Sequence, residues 1–283
     1  MLLTIVIPAK NESAGLGHIL PKIRTLHPDA EIIVVDDGST DDTAQVARKL
    51  GAKVISKPLS QGNGAAIKTG ARAALGSRLV CMDADGQHKP EDIETLLVQL
   101  DQGRDMVVGS RDQGSQASWY RGLANRFYNR FATWMTGQPV KDLTSGFRAS
   151  NTEKFREFLY LLPNGFSYPT TSTMAFFRSG YSLAYVPINA PKRIGKSHIK
   201  IIRDGARFII IIFKIGVLYS PIKIFAPVSG MFFIAGLSYY FYTFLAFHRF
   251  TNMSALLISN AILVFLIGLV SEQITMLLYK KEN

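Results

Sequence analysis

Three acidic clusters in this chain have the residue types and spacing for chemistry on phosphates. Asp83-Ala84-Asp85, with Gln87 beyond, presents two carboxylates and an amide within five residues. Hard oxygen donors of this kind suit Mg²⁺ or Mn²⁺, and a metal held there would bridge a diphosphate and neutralise its charge as it leaves. The same pair also reads as an acidic turn capping the next helix, and a lone D-x-D does not separate the two. Asp36-Asp37-Gly38-Ser39-Thr40-Asp41 is the second cluster. A carboxylate at a strand end can accept hydrogen bonds from a base or a ribose, whereas Ser39 or Thr40 reads as the N-cap of a helix from Asp42. The third is Pro8-Ala9-Lys10-Asn11-Glu12. Gln61-Gly62-Asn63-Gly64-Ala65-Ala66 is a glycine-rich helix entry able to approach a phosphate closely. It has neither the P-loop spacing nor G-x-G-x-x-G, so its expected role is a tight structural turn.

The elements that must position these clusters follow from periodicity. Leu3–Pro8, Ile32–Asp36, Lys53–Ser56, Leu79–Asp83 and Met106–Gly109 are short apolar runs bounded by turn residues, which predicts strands. Helical patterns lie between them at 13–26, 42–50, 65–75 and 90–100, with Pro90 as a first-turn proline ahead of Glu91 and Asp92. Such alternation predicts an α/β, Rossmann-like fold with a mostly parallel sheet covered on both faces. The clusters then fall at the carboxyl edge of the sheet, where open α/β folds bind ligands. Met1–Pro8 reads as the first buried strand, because it lacks the charged start and cleavage site of a signal peptide.

The chain has 32 Lys+Arg against 21 Asp+Glu, a net charge of +11, which points to anionic partners. One cysteine, Cys81, excludes a disulfide scaffold and a cysteine zinc site. Composition changes after His198. Residues 199–223 mix Lys200, Arg203, Arg207 and Lys214 with an apolar run, as a helix in the membrane interface does. Ile224–Phe247 carries no charge over 24 residues, and Met253–Ser271 none over 19. About 20 apolar residues cross a bilayer, so a two-span hairpin is expected, running on to Tyr279 if Glu272 is accommodated. Glu272 itself reads as an interface or oligomer contact. Lys280, Lys281 and the basic 192–223 segment outweigh Arg249 in the connecting loop, which places both ends of the chain in the cytoplasm. Three domains are expected: 1–198, a juxtamembrane segment 199–223, and the hairpin with its tail, 224–283.

Five motifs occur in order: Pro8-Ala9-Lys10-Asn11-Glu12, Val34-Val35-Asp36-Asp37-Gly38-Ser39-Thr40-Asp41, Asp83-Ala84-Asp85-Gly86-Gln87, Gly109-Ser110-Arg111 and Thr144-Ser145-Gly146-Phe147-Arg148. In order and spacing the chain resembles family 2 glycosyltransferases of GT-A fold, within them the polyprenyl-phosphate hexose synthases. That resemblance implies a nucleotide pocket at Pro8, Glu12, Val35 and Asp37, with Asp37 toward the base. It implies a metal and diphosphate site at Asp83, Ala84, Asp85 and Gln87. Arg111 would stand where donor diphosphate meets acceptor phosphate, so Asp85 and Arg111 are the candidate catalytic residues. The helix at 119–135 resembles the segment that holds the lipid phosphate, here through Arg121 and Asn125. Lys192 and Arg193 resemble the basic loop that closes over the donor. The sequence departs from the pattern at Lys10, Asn125, His198 and the Tyr168–Thr173 segment, which is not acidic.

The activity so implied is inverting transfer of a hexose from a nucleotide-diphosphate sugar of GDP-mannose or UDP-glucose type to a polyprenyl phosphate. An acceptor phosphate has a second pKa of about 6 and is already ionised near neutral pH, so it needs positioning more than a general base. Asp142 could serve as a base; its expected role is to order the turn before Thr144. A glycolipid synthase acting on a neutral hydroxyl would need that base. A non-catalytic binder of anionic lipid or nucleic acid would explain the charge but not three acidic clusters at one sheet edge. The expected partners are therefore donor, lipid phosphate and membrane, with no nucleic acid and with a second copy of the chain as a further candidate. The expected location is the inner membrane of a prokaryote.

Overall fold

The computed structural model describes residues 2–111, 119–165, 167–188, 213–214 and 216–279, the side chains of 119–125 excepted. The chain divides into two compact units, Met1–Lys200 and Ile201–Asn283. The first is built on seven strands, β1 (Leu3–Ala9), β2 (Glu31–Asp36), β3 (Lys53–Ser56), β4 (Arg78–Cys81), β5 (Met106–Arg111), β6 (Arg148–Asn151) and β7 (Leu183–Ile188). Helices α1 (Ser13–Leu26), α2 (Thr43–Lys49), α3 (Asn63–Ala73), α4 (Asp92–Asp101), α5 (Trp119–Thr136), α6 (Thr152–Arg156) and α7 (Tyr168–Arg178) connect them.

The sheet order is β3-β2-β1-β4-β6-β5-β7. All neighbours are parallel except β6, which runs antiparallel to both β4 and β5. A mostly parallel sheet is therefore correct, with one reversed strand. That reversal matters for the site. The carboxyl ends of β1, β2, β4 and β5 share one edge, and β6 begins at that edge, with Cys81 opposite Arg148. The loop entering β6 thus meets the loops leaving the other four.

Alternation along β1 explains the two covered faces. Leu3, Ile5, Ile7 and Ala9 join the buried cluster formed with Leu16, Ile19, Leu20 and Ile23 of α1 and Ile93, Leu96 and Leu97 of α4. Each leucine or isoleucine among them contributes roughly 1.5–3 kcal/mol on burial. Val6 faces the other way, onto Gly70 of α3. Several element ends differ from expectation; β4, for one, stops at Cys81, so Asp83 lies in the loop after it. β5 runs on to Arg111, which places that arginine at the strand end. α4 starts at Asp92, because Lys89 and Pro90 carbonyls accept the N–H groups of Asp92 and Ile93 in a turn ahead of it. Neither Ser39 nor Thr40 caps α2; Asp41 instead accepts the Thr43 N–H at 3.1 Å.

The second unit is a hairpin of α8 (Pro221–Phe247) and α9 (Asn252–Leu278), both long and apolar enough to cross a membrane. Their seam is a seven-residue repeat of small side chains: Ser229, Gly236 and Thr243 on α8, and Ser254, Ala261, Gly268 and Thr275 on α9, all buried. A period of 3.5 per turn keeps one face of each helix on its partner, and small residues let backbones approach without a hydrophobic drive. Ser229 Oγ donates to the Ala261 carbonyl at 2.8 Å. Large apolar side chains such as Met231, Ile234, Leu263 and Ile267 point outward. Glu272 accepts the Ile222 N–H at 3.4 Å in the first turn of α8, where the helix dipole favours a carboxylate. That bond joins the two helices of the hairpin. Most of the 199–223 segment lies outside the described residues.

Candidate active site

A cavity of about 430 Å³ opens at the shared sheet edge. Pro8, Ala9, Lys10 and Glu12 line it from the end of β1, and Asp37 from the end of β2. Ser60, Gly62, Asn63 and Ala66 come from the glycine-rich entry to α3; Asp83, Ala84 and Asp85 follow β4; Thr144 and Gly146 precede β6; Tyr168 and Pro169 start α7.

The nucleotide half is fastened by side-chain bonds between loops. Asn11 takes the left-handed conformation that asparagine tolerates, φ 55°. Its Oδ1 accepts the Thr40 N–H at 2.8 Å, tying the β1 loop to the β2 loop. Asp37 is buried, and it accepts from Ser60 Oγ at 2.7 Å, from Gln61 N–H at 2.9 Å and from Gly62 N–H at 2.7 Å, with Lys57 Nζ 3.6 Å away. Burial alone would raise its carboxyl pKa; those donors outweigh it and hold the group below the usual range. Gly62 must be glycine here. Its φ is +100°, and a Cβ would fall 2.5 Å from the Asn164 carbonyl oxygen. The glycine-rich stretch is therefore a tight turn, as expected, and Asp37 is what holds it.

Asp83 and Asp85 line the cavity from the end of β4, which lies between β1 and β6 in the sheet. The Asp85 carboxylate accepts the Gln87 N–H at 3.1 Å. Asp83 N–H donates to His88 Nδ1 at 3.0 Å, and the His88 ring stacks on Phe147 with centroids 5.0 Å apart. Burial pushes the His88 pKa down against the pull of Asp83 and Asp85, which suits a neutral ring accepting at Nδ1. His88 is a positioning residue that sequence reasoning missed; its place directly after Asp-Gly-Gln was the only signal. Among the described residues no group of three or more His, Cys, Asp and Glu side chains could hold a metal. Two carboxylates and few other protein donors still fit Mg²⁺ or Mn²⁺, which keep positions for phosphate oxygens and water.

Arg111 sits at the end of β5 and pairs with Asp142, Nε to Oδ2 at 2.9 Å and Nη2 to Oδ1 at 3.2 Å, while Nη2 also donates to Thr144 Oγ1 at 2.7 Å. Asp142 accepts the N–H groups of Thr144 and Ser145, both at 3.1 Å. Burial would raise the Asp142 pKa, but Arg111 and these donors hold it low. Arg111 moves up, because Asp142 outweighs its burial. A carboxylate so held is a weak base, and Asp142 orders the Thr144 turn.

Of the expected site residues, Pro8, Glu12, Asp37, Asp83, Ala84 and Asp85 share the cavity. Val35 does not line it; its side chain is fully buried in β2, opposite Pro8. Gln87 and Arg111 do not line it themselves; each is partly exposed and bonded to a residue that does, Gln87 to Asp85 and Arg111 to Thr144. Arg121 and Asn125 lie on α5, but their side chains, like all of Lys192 and Arg193, fall outside the described residues. Farther along α5, Arg126, Phe127, Arg130 and Trp134 are exposed.

Comparison with known proteins agrees with this geometry. Residues 4–164 match the Glycosyl transferase family 2 model, and residues 220–277 match the GtrB C-terminal hairpin. The chain is 31% identical over 204 residues to polyprenol monophosphomannose synthase of Mycolicibacterium smegmatis, covering 67% of this chain and 77% of that protein. It is 32% identical over 167 residues to undecaprenyl-phosphate 4-deoxy-4-formamido-L-arabinose transferase of Edwardsiella ictaluri, covering 56% of this chain and about half, 51%, of the relative. Glucosyl-3-phosphoglycerate synthase from Mycobacterium tuberculosis, solved with Mn²⁺, UDP-glucose and phosphoglyceric acid, superposes with TM-score 0.63 at 22% identity, covering 76% of this chain and 79% of that one. At that identity the likeness is one of fold. With more than half its length matched by the family model, this chain belongs to glycosyl transferase family 2 and is a glycosyltransferase.

Proposed function

We propose that this glycosyltransferase moves a hexose, with inversion, from a nucleotide-diphosphate sugar to the phosphate of a membrane polyprenyl phosphate. The observation that carries the reading is the single cavity joining the Asp37-held loop, the Asp83–Asp85 pair and the Thr144–Gly146 turn. Across the sheet edge its lining passes from the Asp37 loop to the acidic pair and then to the Thr144–Gly146 turn, the order in which a nucleoside, a diphosphate and a sugar would lie. The relatives' names supply the acceptor class. They name different sugars, so mannose or glucose is not assigned from them.

Pro8, Glu12 and the Asp37 loop receive the nucleoside. Asp83 and Asp85, with Gln87 beside them, would hold Mg²⁺ or Mn²⁺, which when bound neutralises the diphosphate as it leaves. Arg111, fixed in direction by Asp142, faces the junction of the two phosphate groups. Arg121 and Asn125 hold the acceptor phosphate, and Lys192 and Arg193 close over the donor. No residue has to take a proton, because the acceptor is already ionised. Catalysis is then positioning and charge stabilisation. The depressed Asp142 carboxyl favours this over attack by a neutral lipid hydroxyl. The hairpin spans the inner membrane of a prokaryote, with both chain ends cytoplasmic, as the lysines and arginines around it favour.

The test is transfer by the full chain in detergent, using short-chain polyprenyl phosphate and a panel of UDP- and GDP-hexoses, with Mn²⁺ or with chelator. A lipid-phosphate-linked sugar from one donor is expected. It should vanish with chelator and in Asp85→Ala, whose thermal unfolding should match the unmutated chain. A product on a neutral lipid hydroxyl overturns the acceptor assignment, and full activity in excess chelator overturns the metal.

A further inference from the structure

The sequence carries an arginine that the proposed reaction does not use. Arg148, the first residue of β6, is 0% exposed. The oxygens it bonds are carbonyls and hydroxyls, with no carboxylate among them in the described residues. Its Nη1 donates to the Pro169 carbonyl at 2.8 Å and to Ser172 Oγ at 2.6 Å, and lies 3.4 Å from Thr173 Oγ1. Its Nη2 donates to the Ser145 carbonyl. The guanidinium lies 5.8 Å from the centre of the Tyr168 ring. Its Nε has no hydrogen-bond partner among the described residues. A sealed, unpaired cation is costly, and an apolar side chain would fill a strand position between core layers at less expense.

What the guanidinium joins is specific. One prong holds the Ser145 carbonyl, in the turn that contributes Thr144 and Gly146 to the cavity. The other holds the start of α7, which contributes Tyr168 and Pro169. Two further bonds close the same frame. Tyr168 Oη donates to the Gly146 carbonyl at 3.2 Å, and Thr170 Oγ1 to the Leu143 carbonyl at 3.3 Å. The Tyr168–Thr173 run, for which the sequence left open a sugar-pocket role or plain packing, is a buried and largely polar segment, and Arg148 bonds it at Pro169 and Ser172.

These four wall residues stand on the β6 side of Asp83, and the nucleotide half stands on the β1–β2 side. A donor with its diphosphate at the acidic pair would therefore present its sugar to the Thr144, Gly146, Tyr168 and Pro169 wall. We infer that Arg148 is a positioning residue that sets this sugar-facing wall by clamping the Ser145 turn to the start of α7. The inference rests on the proposed reading of the cavity as a nucleotide-sugar site. It separates two affinities that a general loss of structure would lower together, because the guanidinium bonds the sugar end at Ser145, Pro169 and Ser172 and makes no bond to Asp37 or its donors.

The experiment uses the full chain in detergent and calorimetric binding. The probes are whichever nucleotide sugar the unmutated chain turns over, among UDP- and GDP-hexoses, and its nucleoside diphosphate. Arg148→Lys keeps a cation but loses the fork. It should bind the nucleoside diphosphate within about twofold of the unmutated chain and the nucleotide sugar about tenfold more weakly. Donor hydrolysis should rise relative to transfer. If Arg148→Lys does not fold, Ser172→Ala is read in the same way; it keeps the guanidinium and removes a short partner on α7, and the same split should appear at smaller size. A parallel fall in both affinities, or no fall in either, overturns the inference. An unmutated chain that binds no donor in the panel overturns the functional reading, and this inference with it. Binding without the split overturns the inference alone.

Discussion

Arg111 and Asp142 form a two-pronged ion pair, Nε to Oδ2 at 2.9 Å and Nη2 to Oδ1 at 3.2 Å, and the same carboxylate takes the backbone N–H groups of Thr144 and Ser145. One acid therefore aims the arginine and shapes the turn that enters β6. Asp142→Asn keeps the shape and removes the charge. It should lower transfer about 10- to 100-fold through misplacement of Arg111, and cost about 1–3 kcal/mol in unfolding free energy. The pH–rate profile distinguishes aiming from base catalysis. An aiming role leaves the acidic limb where it was, whereas disappearance of that limb in Asp142→Asn would mean that Asp142 takes the proton.

Gly146 is the second residue of that turn whose identity is forced. A Cβ there would lie 2.8 Å from Asp83 Oδ2 and 3.2 Å from Tyr168 Oη. The near atom belongs to a short carboxylate side chain, which would have to swing from its place. Gly146→Ala should weaken Mn²⁺ binding, followed by electron paramagnetic resonance, about tenfold, with only a small change in thermal stability. Unchanged Mn²⁺ affinity would show that Asp83 is not held where the metal needs it.

Much of this was legible in the sequence because it depends on local pattern. Apolar alternation located β1 to β5, and the strand ends put Glu12, Asp37 and the acidic pair at one edge. Two strands were missed, β6 and β7; β6 is four residues with polar Arg148, Ser150 and Asn151, so it lacks the apolar run that marks a strand. Its reversed direction follows from pairing with β4 and β5, which no local signal encodes. The pairing of Arg111 with Asp142 spans 31 residues, and that of Arg148 with Ser172 spans 24. Both depend on that strand. Val35 shows the converse limit: a motif position carried over by resemblance can be a core residue that supports the site through its backbone.

Asp37 makes a pH-dependent prediction. Burial raises its pKa, but the bonds from Gln61, Ser60 and Gly62 dominate and depress it below the unfolded value. A carboxyl depressed on folding stabilises fully above its unfolded pKa, about 3.9, and that contribution is lost as pH falls through the lower folded value. Asp37→Ala leaves three donors unpaired and Lys57 without its counter-charge. Stability should drop by about 2–3 kcal/mol at neutral pH, and less at pH 3, below the unfolded pKa, where the unfolded chain already binds the proton that the folded carboxyl resists. Donor binding should be lost as the Gly62 turn loosens. Chemical unfolding at pH 7 and pH 3 checks the sign; an equal deficit at both would remove the charge from the account.

The hairpin seam allows a paired test on two glycines of one helix. A Cβ on Gly236 would sit 2.9 Å from Ile258 Cγ1, 3.0 Å from Leu257 Cβ and 3.2 Å from Ile258 N, and the last of these is backbone that cannot rotate away. A Cβ on Gly230 meets nothing within 4 Å. Both substitutions to valine add the same atoms and the same change in helix propensity. Any difference between them therefore reports packing across α8 and α9. Gly236→Val should force the helices apart and cost about 1–3 kcal/mol, the usual range for overpacking, whereas Gly230→Val should be near neutral. The measurement is thermal unfolding of the full chain in detergent, with transfer activity after mild heating as a second reading. If the two variants unfold alike, the seven-residue small-residue seam is not what holds the hairpin together.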